Sequence, residues 1–516
     1  MTMNGAQSLV QTLVNCGVDV CFGNPGTSEM HFVSALDSSP ELRPVLCLFE
    51  GVATGAADGY ARMAGKPAAV LLHLGPGLAN GLANLHNARR AASPIVLVVG
   101  DHATYHLQYD APLTSDIVGF ARPVSSWIHS STSARTVAAD TARAVQAARA
   151  APGGIATLIL PADTAWNDAE RAAPPLSQVG PQPVSDAAID ETAQLLANGK
   201  RTALLMRGKA LLGPGLEAAG RVAARSGARL LCDTFAPRSE LGAGRVPVER
   251  LPYFAEQIVE FLAGVEQLVL VGTKPPVSFF AYPGIPSWCS PDGCRIATLA
   301  HEHEDGVQAL EALEGALGGP KPVPARISLD LPDLPSGPLT PLAIAQAMAH
   351  LTPEGAIVAD ESVTAGFALG QMMARARPFD HLSVTGGSIG QGLPVAVGAA
   401  IACPDRKIIC PEGDGSAAYT MQALWTMARE NLDVTVVLFA NRSYAILKIE
   451  LGRVGATGAG PHALSMLDLD RPGMDWTRIA QGLGVEACRA ETSEEFVAQY
   501  ASAMKQRGPR LIEARL

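Results

Sequence analysis

Short apolar segments alternate with helical patterns along this chain, and the alternation limits its fold more than any other feature. The best strand candidates are continuous apolar runs, at residues 67–75, 94–101, 154–161 and 434–440. Continuous apolar strands separated by helices are typical of parallel sheets that helices cover on both faces. The sequence therefore predicts an α/β fold built from parallel sheets.

Two polar, Pro-rich segments divide the 516 residues into three blocks. The segments 167–186 and 318–341 are predicted to be linkers. Each block is predicted to be a doubly wound parallel-sheet domain, because single cores stop growing at about 250–300 residues. The predicted domains comprise residues 1–166, 185–320 and 338–516.

Charge and composition exclude several classes of partner. A net charge of −10 gives no electrostatic support for binding nucleic acid or an anionic membrane. The longest stretch without Asp, Glu, Lys or Arg, residues 382–404, is interrupted by glycines and a proline, so no membrane helix is expected. The first residues lack a signal-peptide pattern and the nine cysteines form no CxxC pair. We therefore expect a cytoplasmic protein with reduced thiols.

The most specific motif surrounds Asp414. The run Gly413-Asp414-Gly415-Ser416 separates an apolar strand from a helix, and Asn441 and Ser443 follow the next strand. Because one crossover joins these strands, both strand ends are expected at the same edge of a parallel sheet. Carboxylate, amide and backbone oxygens suit Mg²⁺, which completes its coordination with phosphate oxygens and water. The motif predicts a metal-bridged diphosphate site, and the alternative is an ordinary Asp-capped turn.

This pattern resembles the signature of thiamine diphosphate-dependent enzymes. The segments 22–29, 49–62, 71–88 and 93–101 resemble the pyrimidine-binding domain of the acetolactate synthase, pyruvate oxidase and benzoylformate decarboxylase group. The overall pattern is closest to benzoylformate decarboxylase-like members.

The resemblance implies a pyrimidine-binding, a central and a diphosphate-binding domain, in that order. It also implies thiamine diphosphate and Mg²⁺ as cofactors, and a homodimer or homotetramer with active sites between subunits. No FAD is expected, because the chain is short for the flavin-binding members.

The resemblance also implies roles for individual residues. The residue that matches Glu50 donates to the pyrimidine N1′ atom and so promotes loss of the thiazolium C2 proton. Gly387 matches a backbone acceptor for the 4′-amino group, and Ile389 matches a bulky residue that bends the cofactor. The full predicted cofactor set is Glu50, Ser362, Val363, Thr364, Gly387, Ser388, Ile389, Gly413, Asp414, Gly415, Ser416, Asn441, Ser443, Tyr444, Ala445 and Ile446, with Asp414, Asn441 and Ser443 on the metal.

Two further residues are predicted to act on the substrate. Thr27 and His73 match a hydroxyl residue and a histidine that hold the carboxylate and transfer protons in benzoylformate decarboxylase-like enzymes. With Glu50 they form the predicted catalytic set. The predicted substrate pocket comprises Thr27, His73, Phe279, Phe280, Ile446 and Glu450.

The pocket also departs from the benzoylformate decarboxylase pattern. Phe279 and Phe280 stand where that enzyme has a second active-site histidine, Ile446 replaces a small residue, and Glu450 replaces an aromatic one. A larger side chain and a nearby carboxylate should disfavour a phenyl ring that bears its own carboxylate. Benzoylformate itself is therefore not the expected substrate.

The sequence predicts an enzyme that attacks a 2-oxo acid from the thiazolium C2, followed by decarboxylation and then protonation or carboligation. Two alternatives stay open: an acetolactate synthase-type carboligase, and a catalytically silent, cofactor-binding regulatory relative. His102 is a weaker candidate for the site. The acidic and histidine cluster at 301–305 is predicted to be a solvated loop.

Overall fold

The computed structural model describes residues 3–516, and most of its strands belong to three largely parallel sheets. The strands of the N-terminal domain are β1 (Met3–Asn4), β2 (Val20–Asn24), β3 (Arg43–Leu46), β4 (Ala68–Leu72), β5 (Ile95–Asp101), β6 (Trp127–Ser130), β7 (Ile155–Pro161) and β8 (Asp168–Ala169). Its helices are α1 (Gly5–Asn15), α2 (Met30–Ala35), α3 (Glu50–Ala64), α4 (Leu74–Ala91), α5 (Ile117–Ala121), α6 (Val137–Arg149) and α7 (Ala162–Trp166). Six strands form a parallel sheet in the order β3-β2-β4-β5-β7-β6, and β1 pairs with β8.

The central domain is smaller. Its strands are β9 (Thr202–Met206), β10 (Arg229–Cys232), β11 (Ser239–Leu241), β12 (Glu249–Arg250), β13 (Gln267–Val271) and β14 (Arg295–Ala300). Its helices are α8 (Asp186–Ala197), α9 (Gly213–Ser226), α10 (Ala255–Phe261) and α11 (Gly306–Ala316). Five strands form a parallel sheet in the order β12-β10-β9-β13-β14.

The C-terminal domain carries the third sheet. Its strands are β15 (Ala356–Asp360), β16 (Phe379–Ser383), β17 (Ile408–Gly413), β18 (Val434–Ala440), β19 (Glu486–Ala490) and β20 (Arg510–Arg515). Its helices are α12 (Pro341–Leu351), α13 (Phe367–Met373), α14 (Gly392–Ala402), α15 (Asp414–Thr420), α16 (Gln422–Arg429), α17 (Ala445–Arg453), α18 (Pro461–Leu464), α19 (Trp476–Gly482) and α20 (Ser493–Lys505). The strand order is β11-β16-β15-β17-β18-β20-β19.

The predicted α/β fold of doubly wound parallel sheets is confirmed, because separate apolar clusters cover both faces of the sheets. One strand differs from the expectation. β11 lies in the predicted central block, yet it adds an antiparallel edge to the third sheet. The chain turns after it at Gly242, whose φ of +94° favours glycine and whose Cβ would lie 2.6 Å from the Arg377 carbonyl oxygen.

The apolar run at residues 42–50 predicts a strand that ends at Glu50, and this prediction is wrong. The strand β3 stops at Leu46, and Glu50 is the first residue of α3. Phe49 is still extended, and a carboxylate in the first turn of a helix is favoured by the helix dipole. Glu50 therefore lies at the beginning of a buried helix.

The two outer domains meet through α3 and α14, whose backbones nearly touch. A Cβ at Gly59 would lie 2.2 Å from the Val395 carbonyl oxygen, and one at Gly398 would lie 1.8 Å from the Ala56 carbonyl oxygen. Only glycine allows this approach. As a result, apolar residues of both domains form one continuous core.

Among residues 3–516, none of the helices has the length and apolar character that crossing a membrane requires.

Candidate active site

The predicted metal-binding residues lie at adjacent strand ends. β17 and β18 are parallel neighbours, and Asp414 begins α15 directly after β17. Asp414 Oδ2 accepts a hydrogen bond from the Arg442 backbone N–H at 2.6 Å, and Asn441 Oδ1 accepts one from the Ser443 N–H at 3.0 Å. The turn after β18 is therefore folded against Asp414, as the strand–crossover–strand argument anticipated.

The chemistry of this turn fits a magnesium diphosphate. Within residues 3–516 no three His, Cys, Asp or Glu side chains converge on one point, so a cation near Asp414 depends on amide and backbone oxygens as further ligands. Gly415 lies under the Tyr444 ring, whose Cε1 would be 2.6 Å from a Cβ at this position. Burial raises the pKa of Asp414, and the backbone N–H groups of Arg442 and Gly415 offset part of that rise.

The Gly-rich turn before α14 contacts the central domain. Gly387 has a φ of +72°, and a Cβ there would lie 2.4 Å from Phe279 Cζ. The Phe279 ring also packs against Tyr253 and Phe280, with centroid distances of 5.5 and 4.8 Å. The structure therefore brings Phe279 from the predicted substrate pocket onto the predicted pyrimidine-binding turn.

Glu50 is buried, with only 8% of its surface exposed. Its Oε2 accepts a hydrogen bond from Asn80 Nδ2 at 3.1 Å, and its Oε1 lies beside Gly77, 3.4 Å from where a Cβ would stand. Both contacts come from α4, which runs next to α3. The carboxyl group is thus held by a single side-chain donor in a tightly packed corner.

His73 is paired with a buried carboxylate. It follows β4, and its Nδ1 lies 2.7 Å from Glu29 Oε2, which also accepts a hydrogen bond from the Gly26 N–H. Glu29 is 1% exposed, and burial raises its pKa while His73 offsets part of the rise. Because Nδ1 faces the carboxylate, Nε2 is the nitrogen that can exchange a proton. Thr27 lies exposed in the same turn.

His102 occupies the neighbouring strand end. Its backbone N–H donates to Asp101 Oδ1, and its Nε2 is buried without a hydrogen-bond partner among residues 3–516. Gly100, two residues earlier, packs directly on Glu29. His102 therefore lies at the same sheet edge as the Glu29–His73 pair.

The segment after β15 holds the Ser362 side chain through a contact of its own. The Ser362 hydroxyl donates to Asp360 Oδ1 at 2.5 Å, so it is already occupied within the segment. Val363 has a φ of +50°, which is rare for a β-branched residue. Contact of Ser362, Val363 and Thr364 with a diphosphate remains a prediction.

Helix α17 carries Ile446 and Glu450 about one turn apart. Glu450 is buried, and its Oε1 accepts a hydrogen bond from the Tyr282 hydroxyl at 3.1 Å. Burial and the nearby Glu450 carboxylate raise the pKa of Tyr253. The Arg453 guanidinium lies over the Tyr282 ring and close to Glu450, so it balances part of that negative charge. The hydrogen bond from Tyr282 therefore holds Glu450 against the central domain.

Two groups of residues were not found from the sequence. Glu29 belongs to the segment 22–29 that resembles the pyrimidine-binding domain, and its carboxylate accepts a hydrogen bond from the Gly26 N–H three residues earlier. Tyr253 and Tyr282 carry no recognisable signal, because their partner Glu450 lies in another domain.

The cluster at 301–305 is exposed, apart from its last two residues, which are partly buried.

Two family models match this chain. The N-terminal TPP binding domain of thiamine pyrophosphate enzymes matches residues 3–120, and their C-terminal TPP binding domain matches residues 364–514. The chain belongs to the family of thiamine pyrophosphate (thiamine diphosphate) enzymes, which confirms the resemblance seen in its motifs.

Individual relatives carry two kinds of name. The chain is 54% identical to a Mycobacterium tuberculosis protein provisionally named acetolactate synthase large subunit IlvX, over 99% of this chain and 98% of that protein. It is 29% identical to the benzoylformate decarboxylase of Pseudomonas aeruginosa, over 96% of both chains. A solved 4-hydroxybenzoylformate decarboxylase from Rhodococcus jostii RHA1 superposes with a TM-score of 0.86 at 24% identity, over 99% of both chains. This last likeness supports the fold.

Proposed function

We propose that this protein is a Mg²⁺-dependent thiamine diphosphate enzyme that decarboxylates a 2-oxo acid and then releases or ligates the product. The observation that carries the proposal is the Glu29–His73 pair, 2.7 Å apart at the same turn as Thr27. A histidine fixed by a buried carboxylate can hold a substrate carboxylate and later transfer a proton. The active sites would lie between two copies of the chain.

The residues of the candidate site would have separate roles in binding the cofactor, moving protons and orienting the substrate. Asp414, Asn441 and Ser443 would hold Mg²⁺ and the diphosphate, and Glu50 would hold and move a proton at the pyrimidine N1′ atom. When bound, thiamine diphosphate supplies an electron sink for the charge left by departing CO₂. Thr27 and His73 would orient the 2-oxo acid, with His73 Nε2 exchanging the proton.

A second candidate is an acetolactate synthase-type carboligase, which joins two 2-oxo acid units. The 54% identical relative favours it by name. The sequence after Asn441 weighs against it, because the Gln- and Trp-rich stretch of those enzymes is replaced here by Ile446-Leu-Lys-Ile-Glu450. Product analysis separates the two functions, since only the acetolactate synthase-type enzyme joins the decarboxylated unit to a second 2-oxo acid molecule.

Substrate choice is tested by measuring CO₂ release from a panel of 2-oxo acids with thiamine diphosphate and Mg²⁺. We expect pyruvate and other short aliphatic acids to react faster than benzoylformate, because Ile446 is larger than the residue that benzoylformate decarboxylase-like enzymes have at the matching position. The variant Ile446→Ala should raise kcat/KM for benzoylformate, relative to pyruvate, by at least about tenfold. If benzoylformate is the best substrate of the wild-type enzyme, the assigned role of Ile446 is wrong.

The variant Glu29→Gln should lower kcat at least about tenfold with little change in KM. Its amide can donate to His73 Nδ1, which would favour the tautomer with the proton on the wrong nitrogen. The matched control is Asp140→Asn, since Asp140 is a buried carboxylate 3.3 Å from His129 in the same domain. Equal effects of both substitutions would contradict the proposal.

A further inference from the structure

The Gly-rich turn between β16 and α14 is held by two buried amides from another domain. Asn87 on α4 contacts both sides of Ser388: its Nδ2 donates to the Ser388 carbonyl at 2.7 Å, and its Oδ1 accepts from the Ser388 N–H at 3.2 Å. Asn87 is completely buried. A buried amide is costly unless its polar atoms are satisfied, and here the backbone of the turn satisfies them.

Asn84, one helical turn earlier, connects the Gly-rich turn to the beginning of α3. Its Nδ2 donates to the Gly390 carbonyl at 3.1 Å and to the Gly51 carbonyl at 2.8 Å. Gly51 follows Glu50, and Gly390 follows Ile389. Asn84 is 3% exposed, and its Oδ1 accepts a hydrogen bond from Asn87 Nδ2 at 3.1 Å. The two amides therefore form one unit.

Other contacts complete the turn and leave the Gly387 carbonyl oxygen without a donor. The Glu361 carboxylate accepts hydrogen bonds from the N–H groups of Gly390, at 2.8 Å, and Gly392. His86 Nε2 contacts the Gly386 carbonyl at 3.1 Å. In residues 3–516, no donor reaches the Gly387 carbonyl oxygen. The turn is thus fixed on both sides of the one carbonyl that the proposed function requires for the cofactor.

We propose that Asn84 and Asn87 are positioning residues for the cofactor pyrimidine. They hold the turn so that the Gly387 carbonyl stays available to the cofactor. The inference rests on the proposed roles of Gly387 and Glu50. Both amides would act through the backbone that they bind.

The test measures hydrogen–deuterium exchange at C2 of thiamine diphosphate, bound with Mg²⁺ and without substrate. We expect Asn87→Ala to slow exchange at saturating cofactor by at least about tenfold, because a misplaced group loses its catalytic alignment. Asn84→Ala should act in the same direction, and the double variant should lose less than the product of the two effects, since the amides share a hydrogen bond. The conservative variant Asn87→Asp keeps the acceptor for Ser388 and should retain more exchange than Asn87→Ala.

A matched control separates positioning from stability. Gln267 is a buried amide in the central sheet that donates to the Leu195 carbonyl and to Thr202. Gln267→Ala should lower the melting temperature of the protein as Asn87→Ala does, without slowing exchange.

Three outcomes are decisive. If Asn87→Ala binds cofactor and exchanges within twofold of wild type, the inference is overturned. If that variant does not fold, Asn84→Ala and Asn87→Asp are judged by the same criterion. If the wild-type protein itself shows no exchange, the proposed function fails and this inference fails with it. If the wild type and the variants all show normal exchange, only the inference is overturned.

Discussion

The variant Glu50→Gln is expected to slow C2 hydrogen exchange of bound thiamine diphosphate by about 10²–10⁴-fold, the range for loss of a positioned proton-transfer group. Cofactor binding should persist, because glutamine has nearly the same shape and can still accept the hydrogen bond from Asn80. The measurement is the exchange rate by NMR after acid quenching, at saturating cofactor and Mg²⁺.

The control for this experiment is Glu513→Gln. Glu513 is a buried carboxylate of β20 that accepts a hydrogen bond from the Thr477 hydroxyl at 2.8 Å, and no proposed site residue contacts it. Its substitution should leave exchange unchanged. Wild-type exchange in Glu50→Gln would remove Glu50 from the mechanism, whereas no exchange in the wild-type protein would favour the silent, regulatory alternative.

The largest expected loss of stability follows from Asp58→Ala, at about 3–5 kcal/mol of the free energy of unfolding. Asp58 is fully buried and pairs with Arg62, whose side chain is 2% exposed. Removing the carboxylate leaves the guanidinium buried without its counter-charge. Asp58 also accepts hydrogen bonds from Ser93, at 2.5 Å, and from Gln391 Nε2, at 2.6 Å. Because Gln391 lies next to the Gly-rich turn before α14, the variant should also bind the cofactor more weakly.

Urea denaturation followed by circular dichroism measures this loss. The comparison variant is Glu217→Ala, which removes one partner of the half-exposed pair with Arg326 and should cost less than about 1 kcal/mol. Replacing Asp58 and Arg62 together by apolar residues of similar volume should recover part of the stability. If Asp58→Ala costs no more than Glu217→Ala, the buried pair does not stabilise the fold.

Local patterns predicted the parallel sheets and the position of Asp414 beside the turn after β18. Continuous apolar strands indicated parallel sheets, and one crossover placed Asp414 beside the turn after β18, where its Oδ2 accepts the Arg442 N–H. Both arguments use neighbouring segments of the chain. The side chains involved are short and lie at strand ends, so the backbone path alone brings them together.

Contacts between distant segments could not be predicted in the same way. Asn87 and Ser388 are 301 residues apart, and Tyr282 and Glu450 are 168 apart, so no periodicity relates them. An Asn on a helix shows a preference for polar surroundings but not for a particular turn in another domain. Glu50 was placed at a strand end because its apolar neighbours continue the pattern, whereas the backbone already turns helical there.

The near contact of α3 with α14 has a consequence for how molecules reach the site. Glycines at 59 and 398 leave no side-chain layer along which the two helices could slide or separate, so the outer domains form one rigid body. Opening of these domains is therefore not expected as the entry route for substrate. The segments 104–116 and 454–473 are mostly exposed, and no close helix–helix contact holds them in place. The gate for substrate and product should therefore lie in such surface loops.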